Sequence, residues 1–280
     1  MGDMGHAVGH CLIESGHNVI TCLAGRSAKT AEMAERAGVR DVANLDDLVD
    51  EAEILLSILP PSSALQLARD TMKARKRNSR QFVYVDCNAI SPATAKEIAS
   101  IIESAGATFI DSGIIGFAPG KDTPRFYVSG KDTSAMQVLH GCGFSVINCG
   151  EAPGQASATK MCYAALTKGT FTLHTALLMA ANSLGVYDTL IEEFRFSQAS
   201  ALQAMESRVP FIPADSKRWI GEMEEIADTF REAGVTGSFH DGAANVLEVL
   251  AKTPFAQETR DSLDNTRTLD EAIGEYVKHI

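Results

Sequence analysis

The sequence contains no apolar run long enough to span a bilayer, and its N-terminus lacks the basic stretch and apolar core of a secretory signal. No membrane partner is expected, and the expected address is cytoplasmic. An excess of positive charge is also missing. Twenty-five Lys and Arg face 36 Asp and Glu, for a net charge of -11. That balance argues against nucleic acid as a partner, because phosphate backbones are held by clustered Lys and Arg. The one basic run, Lys73 to Arg80, reads as a solvated helix end and loop. The six cysteines, Cys11, Cys22, Cys87, Cys142, Cys149 and Cys162, have neither CxxC spacing nor a His cluster beside them. No metal site is expected from them, and the thiols are expected to be reduced and mostly buried. No internal repeat or low-complexity tract is present. What remains is a chain of 280 residues, 45% hydrophobic, enough for one large or two medium globular domains.

The chain opens on Gly2-Asp3-Met4-Gly5-His6-Ala7-Val8-Gly9, a glycine-rich turn running into a helix with no strand in front of it. In a dinucleotide-binding βαβ unit the first strand feeds a GxGxxG turn, whose glycines allow a tight bend and backbone approach to a pyrophosphate. Gly2 and Gly5 fit the second and third of those glycines, so the fingerprint is expected to lack its first strand.

Beyond it, apolar runs alternate with amphipathic stretches, the punctuation of strands covered by helices. Strands are expected at Val19 to Leu23, Ile54 to Leu59, Phe82 to Val85, from Thr108, at Phe126 to Ser129 and at Ser145 to Asn148. Helices are expected at Ala28 to Ala37, after a cap at Asn44 or Asp46, and from Pro92 toward Ala105. Gly150 to Gly154 marks a boundary. From Gln155 to about Leu184 the chain lacks Pro and is rich in Ala, Leu and Met, which predicts one long buried helix. Further helical patterns cover Ile191 to Glu206, Trp219 to Glu232 and Gly242 to Lys252. The expected fold class is an α/β Rossmann domain over residues 1–152, followed by an all-α domain over residues 153–280.

Five segments in order, GDMG followed by SGHNV, LLSILPP, VDCNAISP, FIDSGIIG and GQASATKMCYAALTKG, resemble the β-hydroxyacid dehydrogenases. This is the 6-phosphogluconate dehydrogenase-like superfamily that includes 3-hydroxyisobutyrate dehydrogenase. Within it the chain looks like a less characterised branch with its own helical C-terminal domain. The resemblance implies an oxidoreductase that transfers hydride between a nicotinamide cofactor and a hydroxyacid or related alcohol, acting as a homodimer on a small-molecule substrate. A ketone or imine reductase of the same superfamily is the enzymatic alternative; a truncated or non-catalytic nucleotide-binding relative is the other. True 6-phosphogluconate dehydrogenase activity is disfavoured.

The resemblance places Lys160 at the family's catalytic lysine, facing the nicotinamide. An alcohol must lose its hydroxyl proton as hydride departs, and a lysine at its ordinary pKa of about 10.4 cannot accept it at neutral pH. Burial beside apolar groups and a cationic nicotinamide lowers that pKa. The same resemblance assigns the cofactor to Gly2, Asp3, Met4, Gly5, Leu59, Pro60 and Asn88. After the second strand the chain reads Gly25-Arg26-Ser27, with no acid before Lys29. Arg26 and Ser27 suit a 2′-phosphate, which favours NADP while leaving NAD possible. For Asn88 a turn-forming role, and for Ser91 a helix-capping role, stand beside ligand contact. The substrate loop falls on Ser112, Gly113 and Gly116, although the family's proline and central serine are absent there. One turn after Lys160 the family's asparagine is replaced by Ala164. Tyr163 and Lys168 are the alternatives on that helix, with His240, Trp219 and Asp241 as further candidates. The family's later Lys-Asp pair falls on Glu224-Glu225.

Overall fold

In a computed structural model of the protein, the described residues are 2–75, 82–120, 122–259 and 262–280. The end of the basic run, residues 76–80, lies outside them. The chain divides by its contacts into two units, residues 1–161 and 162–280.

The first unit begins with helix α1 (Asp3–Glu14), whose inner face carries Gly5, Val8, Gly9 and Leu12. Gly16, at φ +87°, ends it in a conformation that glycine adopts without steric cost. Strand β1 (Ile20–Cys22), helix α2 (Ala28–Arg36), strand β2 (Arg40–Val42) and helix α3 (Leu45–Glu51) follow. Ser27 and Asn44 cap α2 and α3 by accepting from the Thr30 and Asp47 amides, satisfying N–H groups that the first turn leaves without partners. Strand β3 (Ile54–Ser57), helix α4 (Ala64–Arg75), strand β4 (Val83–Asp86), helix α5 (Pro92–Ser104) and strand β5 (Thr108–Ile115) repeat the unit. Ser91 caps α5 with Pro92 at its first position. Strand β6 (Arg125–Ser129), the short helix α6 (Ser134–Gln137) and strand β7 (Ser145–Gly150) complete it.

Strand β2 is one element the sequence pattern did not signal. It pairs in parallel with β1 as a separate two-stranded sheet, while β3-β4-β5-β6-β7 form a five-stranded one. Among the described residues no strand precedes α1. The larger sheet is mixed: β5 and β6 are antiparallel, because the connection over residues 116–124 is too short for a crossover helix. Its two faces are covered by separate apolar clusters. Tyr84, Phe109, Ile98, Ile102 and Met72 pack on one side. On the other, α1 places Val8 and Leu12 against Val85, Ile110, Phe126 and Phe144.

The second unit is helical. Helix α7 (Gln155–Ser183) enters it from the first, and α8 (Tyr187–Ser197), α9 (Ala199–Arg208), α10 (Pro213–Glu232), α11 (Ser238–Ala251) and α12 (Leu269–Tyr276) follow. Three expectations need correction. The helical stretch from Ile191 breaks at Gln198, where φ -137° and ψ 40° leave the α region and separate α8 from α9. Helix α7 is not buried throughout, since Leu166 and Leu173 are exposed along one side. Of the cysteines, Cys87 alone is fully buried, and Cys162 is exposed. Among the described residues no helix is long and apolar enough to cross a membrane.

Candidate functional site at the strand ends of the larger sheet

The carboxyl ends of β3, β4 and β5 carry a buried polar cluster. Such ends are where open α/β sheets bind ligands. Asp86, the last residue of β4, is wholly buried and lies in register with Asp111 of β5. Burial pushes the Asp86 carboxyl up to about 7 and the charge of Asp111 adds to that, while hydrogen bonds from Asn88 and the charge of Lys160 oppose it. Asn88 donates its backbone N–H to Asp86 Oδ1 at 3.0 Å. Its side-chain Nδ2 donates to Asp86 Oδ2 at 3.0 Å and to Ser57 Oγ at 2.9 Å. Its Oδ1 accepts from the Leu59 amide at 2.7 Å. The Asn88 amide is therefore engaged within the protein, fixing the start of the Leu59-Pro60-Pro61 loop.

Asp111 does different work. Its Oδ2 accepts from Ser129 Oγ at 3.1 Å and from the Gly154 and Ser157 amides at 2.9 Å each, and its Oδ1 accepts from Ser157 Oγ at 2.6 Å. A carboxylate on β5 thus caps the N-terminus of α7, where free amides and the helix dipole favour negative charge. Burial raises its proton affinity and these hydrogen bonds oppose the rise. Two residues along the same strand face, a Cβ on Gly113 would stand 2.8 Å from both Ala156 O and Lys160 Cβ. The absence of a side chain at Gly113 thus lets the helix approach the strand closely. Together the Asp111 cap and the Gly113 contact hold Lys160 at the strand ends, in the field of Asp86 and Cys87. Ser112 between them is wholly buried. Gly116, at φ +121° with a Cβ position 3.1 Å from Pro124 Cα, makes the turn out of β5.

The cofactor candidates occupy two helix starts. Gly2 is the N-cap of α1, with no side-chain cap, and space is open where its Cβ would be; Asp3, Met4 and Gly5 form the first turn. After β1, the Arg26 amide donates to Leu23 O at 2.9 Å across a turn with Gly25 at φ +73°. Ser27 Oγ is occupied in capping α2. Arg26 is exposed and makes no ion pair among the described residues. The fold also brings in an acid that the linear order did not show: Asp41 of β2 accepts from the Leu23 amide at 2.9 Å.

The remaining candidates lie in the second unit. Tyr163 is 48% exposed. The Lys168 ammonium is bonded to Glu222, and its Nζ lies 5.5 Å from the Trp219 ring centre. Arg218 donates to the other Glu222 oxygen at 2.7 Å and to Asp215 at 2.7 Å. Glu222, which the sequence did not single out, is thus the acid partner of Lys168, and Glu224 is exposed. His240 is buried, edge-on to Phe230 at 4.5 Å, and burial lowers its proton affinity; Asp241 pairs with Arg231.

The NAD binding domain of 6-phosphogluconate dehydrogenase matches residues 1–143. The chain belongs to the 6-phosphogluconate dehydrogenase-like superfamily. A domain of unknown function (DUF1932) matches residues 181–250. An uncharacterized 28.5 kDa protein of Methanothermus fervidus is 33% identical over 209 residues, 74% of this chain and 80% of that protein. The mitochondrial 3-hydroxyisobutyrate dehydrogenase of Homo sapiens is 30% identical over 169 residues, 58% of this chain. That match spans about half the human enzyme, 49% of its length. Among solved structures, the conserved protein MTH1747, of unknown function and similar to 3-hydroxyacid dehydrogenases, superposes with a TM-score of 0.66 at 29% identity. It covers 89% of this chain and 95% of that one.

Proposed function

We propose that the protein is an NADP-dependent oxidoreductase that moves hydride between the nicotinamide and a hydroxyacid or related alcohol, with Lys160 as general acid/base. The observation that carries the reading is the placement of Lys160 at the strand ends by the Asp111 cap and the Gly113 contact. When bound, the nicotinamide accepts or returns the hydride. Lys160 Nζ takes the hydroxyl proton as the carbinol carbon becomes a carbonyl, and returns it in the reverse direction.

The residues present fit such a cofactor. The N-cap of α1, Gly2, makes no side-chain cap, and the space where its Cβ would stand is open, which leaves room for a pyrophosphate. Arg26, exposed and without an ion pair among the described residues, offers its guanidinium to a 2′-phosphate. The helical region from residue 153 onward would select the substrate and pair with a second copy. Leu166 and Leu173 on α7 are exposed apolar residues suited to that pairing.

The test is Lys160→Met assayed across hydroxyacids and ketones, alongside NADPH titration. Turnover is expected to fall by about 10²-fold or more with little change in NADPH affinity. Unchanged turnover removes Lys160 from the chemistry, and absence of NADPH binding by the unmodified chain removes the whole reading.

A further inference from the structure

Asp86 and Asp111 end up side by side, equally buried, yet differently partnered. Four donor contacts converge on Asp111. Asn88 supplies one bond to each Asp86 oxygen, from its backbone N–H and from its side-chain amide. The same Asn88 amide group reaches on to Ser57 Oγ and to the Leu59 N–H. A continuous path therefore runs from the Asp86 carboxyl through Asn88 to the first residue of the Leu59-Pro60-Pro61 loop. At its other end Asp86 lies in the field of Lys160.

We propose that Asp86 is a positioning residue that couples the proton on Lys160 to the hold on the Leu59-Pro60-Pro61 loop. The coupling follows from hydrogen-bond chemistry and deepens the assignment of Lys160 made above, on which it rests. An ionised Asp86 offers each Asn88 donor a charged acceptor, and such bonds are about twice as strong as neutral ones. Protonation turns one of those oxygens into a hydroxyl and weakens that bond. Asn88 cannot compensate by turning over, because its NH₂ would then face the Leu59 N–H, donor against donor. A cationic Lys160 favours an ionised Asp86 and a gripped loop. A neutral Lys160 lets Asp86 take up a proton and slackens it.

Two titratable neighbours of Asp86 hold still through this change. Burial pushes the hydroxyl of Tyr84 on β4 and the thiol of Cys87 just after it well above their ordinary ranges, so both stay neutral. Asp111 across the sheet disfavours the Asp86 charge, and Lys160 on α7 favours it. From β3 the neighbour is the neutral Ser57 hydroxyl.

The experiment is ¹H–¹⁵N NMR on the full chain without cofactor, following the Leu59 amide and the Asn88 backbone and side-chain N–H groups between about pH 5.5 and 8.5. Leu59 and Asn88 are expected to move together, with one midpoint near 7. Lys160→Met is expected to raise that midpoint, because it removes the nearby cation. Asp86→Asn is expected to abolish the transition at Leu59 and to weaken NADPH binding by about tenfold. A Leu59 amide that does not titrate with Asn88, or a midpoint unmoved in Lys160→Met, overturns the proposal. The wild-type titration decides even if Asp86→Asn does not fold. Because it needs no turnover, its failure is distinct from a failure of Lys160 as acid/base.

Discussion

Gly113 and Lys160 meet through a side chain that is not there: a Cβ on the glycine would lie 2.8 Å from the lysine Cβ and 2.8 Å from the Ala156 carbonyl oxygen. Neither neighbour is the free end of a flexible side chain, so Gly113→Ala must push the start of α7 off β5. The cost is expected to be about 1–3 kcal/mol, the range for overpacking. The displacement also strains the bonds from Ser157 to Asp111. Urea unfolding and steady-state assays are expected to show a less stable chain whose kcat falls more than its cofactor affinity. A variant as stable and as active as the parent would mean that this close approach does not set the lysine.

The parts of the fold that were legible in the sequence are those with local signals. Asn44 and Ser91 act within three residues of themselves, so cap and helix appear together in the sequence, whereas Ser27, read as a phosphate contact, caps α2. Strand β2 escapes because its three residues are Arg40, Asp41 and Val42, of which only Val42 is buried, too few to show a period. The break at Gln198 escapes because neither Pro nor Gly marks it. The site divides in the same way. Lys160 and Gly113 stand in segments that carry a family likeness, whereas Asp111 as helix cap and Glu222 as lysine partner depend on contacts across 46 and 54 positions of chain. A lone acid in a sequence carries no sign of which distant amide or ammonium it will meet.

Asp86 gives the chain a particular dependence on pH. Its carboxyl is pushed up from 3.8 to about 7 on folding, so the folded state holds a proton that the unfolded chain has released. The stability tied to that proton is fully present below about pH 4 and is lost as pH rises through about 7. Subtracting the urea-unfolding profile of Asp86→Asn from that of the parent is expected to leave a difference that falls with rising pH across this window. A flat difference would mean that the folded and unfolded carboxyls titrate alike.

Glu222 sits between two cations of unequal burial. Its lysine partner is 15% exposed and its arginine partner 52%, while Glu222 itself is 6% exposed. Removing the acid leaves the Lys168 ammonium buried without its partner, which is expected to cost about 3–5 kcal/mol in Glu222→Ala. Arg218 is half exposed and its removal leaves Glu222 still paired with Lys168, so Arg218→Ala is expected to cost less, about 1 kcal/mol. Chemical denaturation of both variants checks the ranking, and equal losses would show that the lysine is hydrated once Glu222 is gone.

Arg26 and Ser27 are neighbours in sequence with separable roles. The Ser27 hydroxyl accepts from the Thr30 amide at 3.3 Å as the cap of α2, so Ser27→Ala is expected to cost about 1 kcal/mol. Arg26 is exposed with no ion pair among the described residues, so Arg26→Ala is expected to leave stability within about 0.5 kcal/mol. Its effect should fall on the cofactor instead. Losing a charge-assisted contact to a 2′-phosphate is expected to weaken NADPH binding by about tenfold while NADH binding stays unchanged. Asp41, held at the Leu23 amide, biases the same place the other way, because its charge repels a phosphate. Asp41→Asn is therefore expected to shift preference further toward NADPH. Titrating both cofactors against the three variants by calorimetry separates the contributions, and equal weakening of NADPH and NADH in Arg26→Ala would show that the guanidinium does not read the 2′-position.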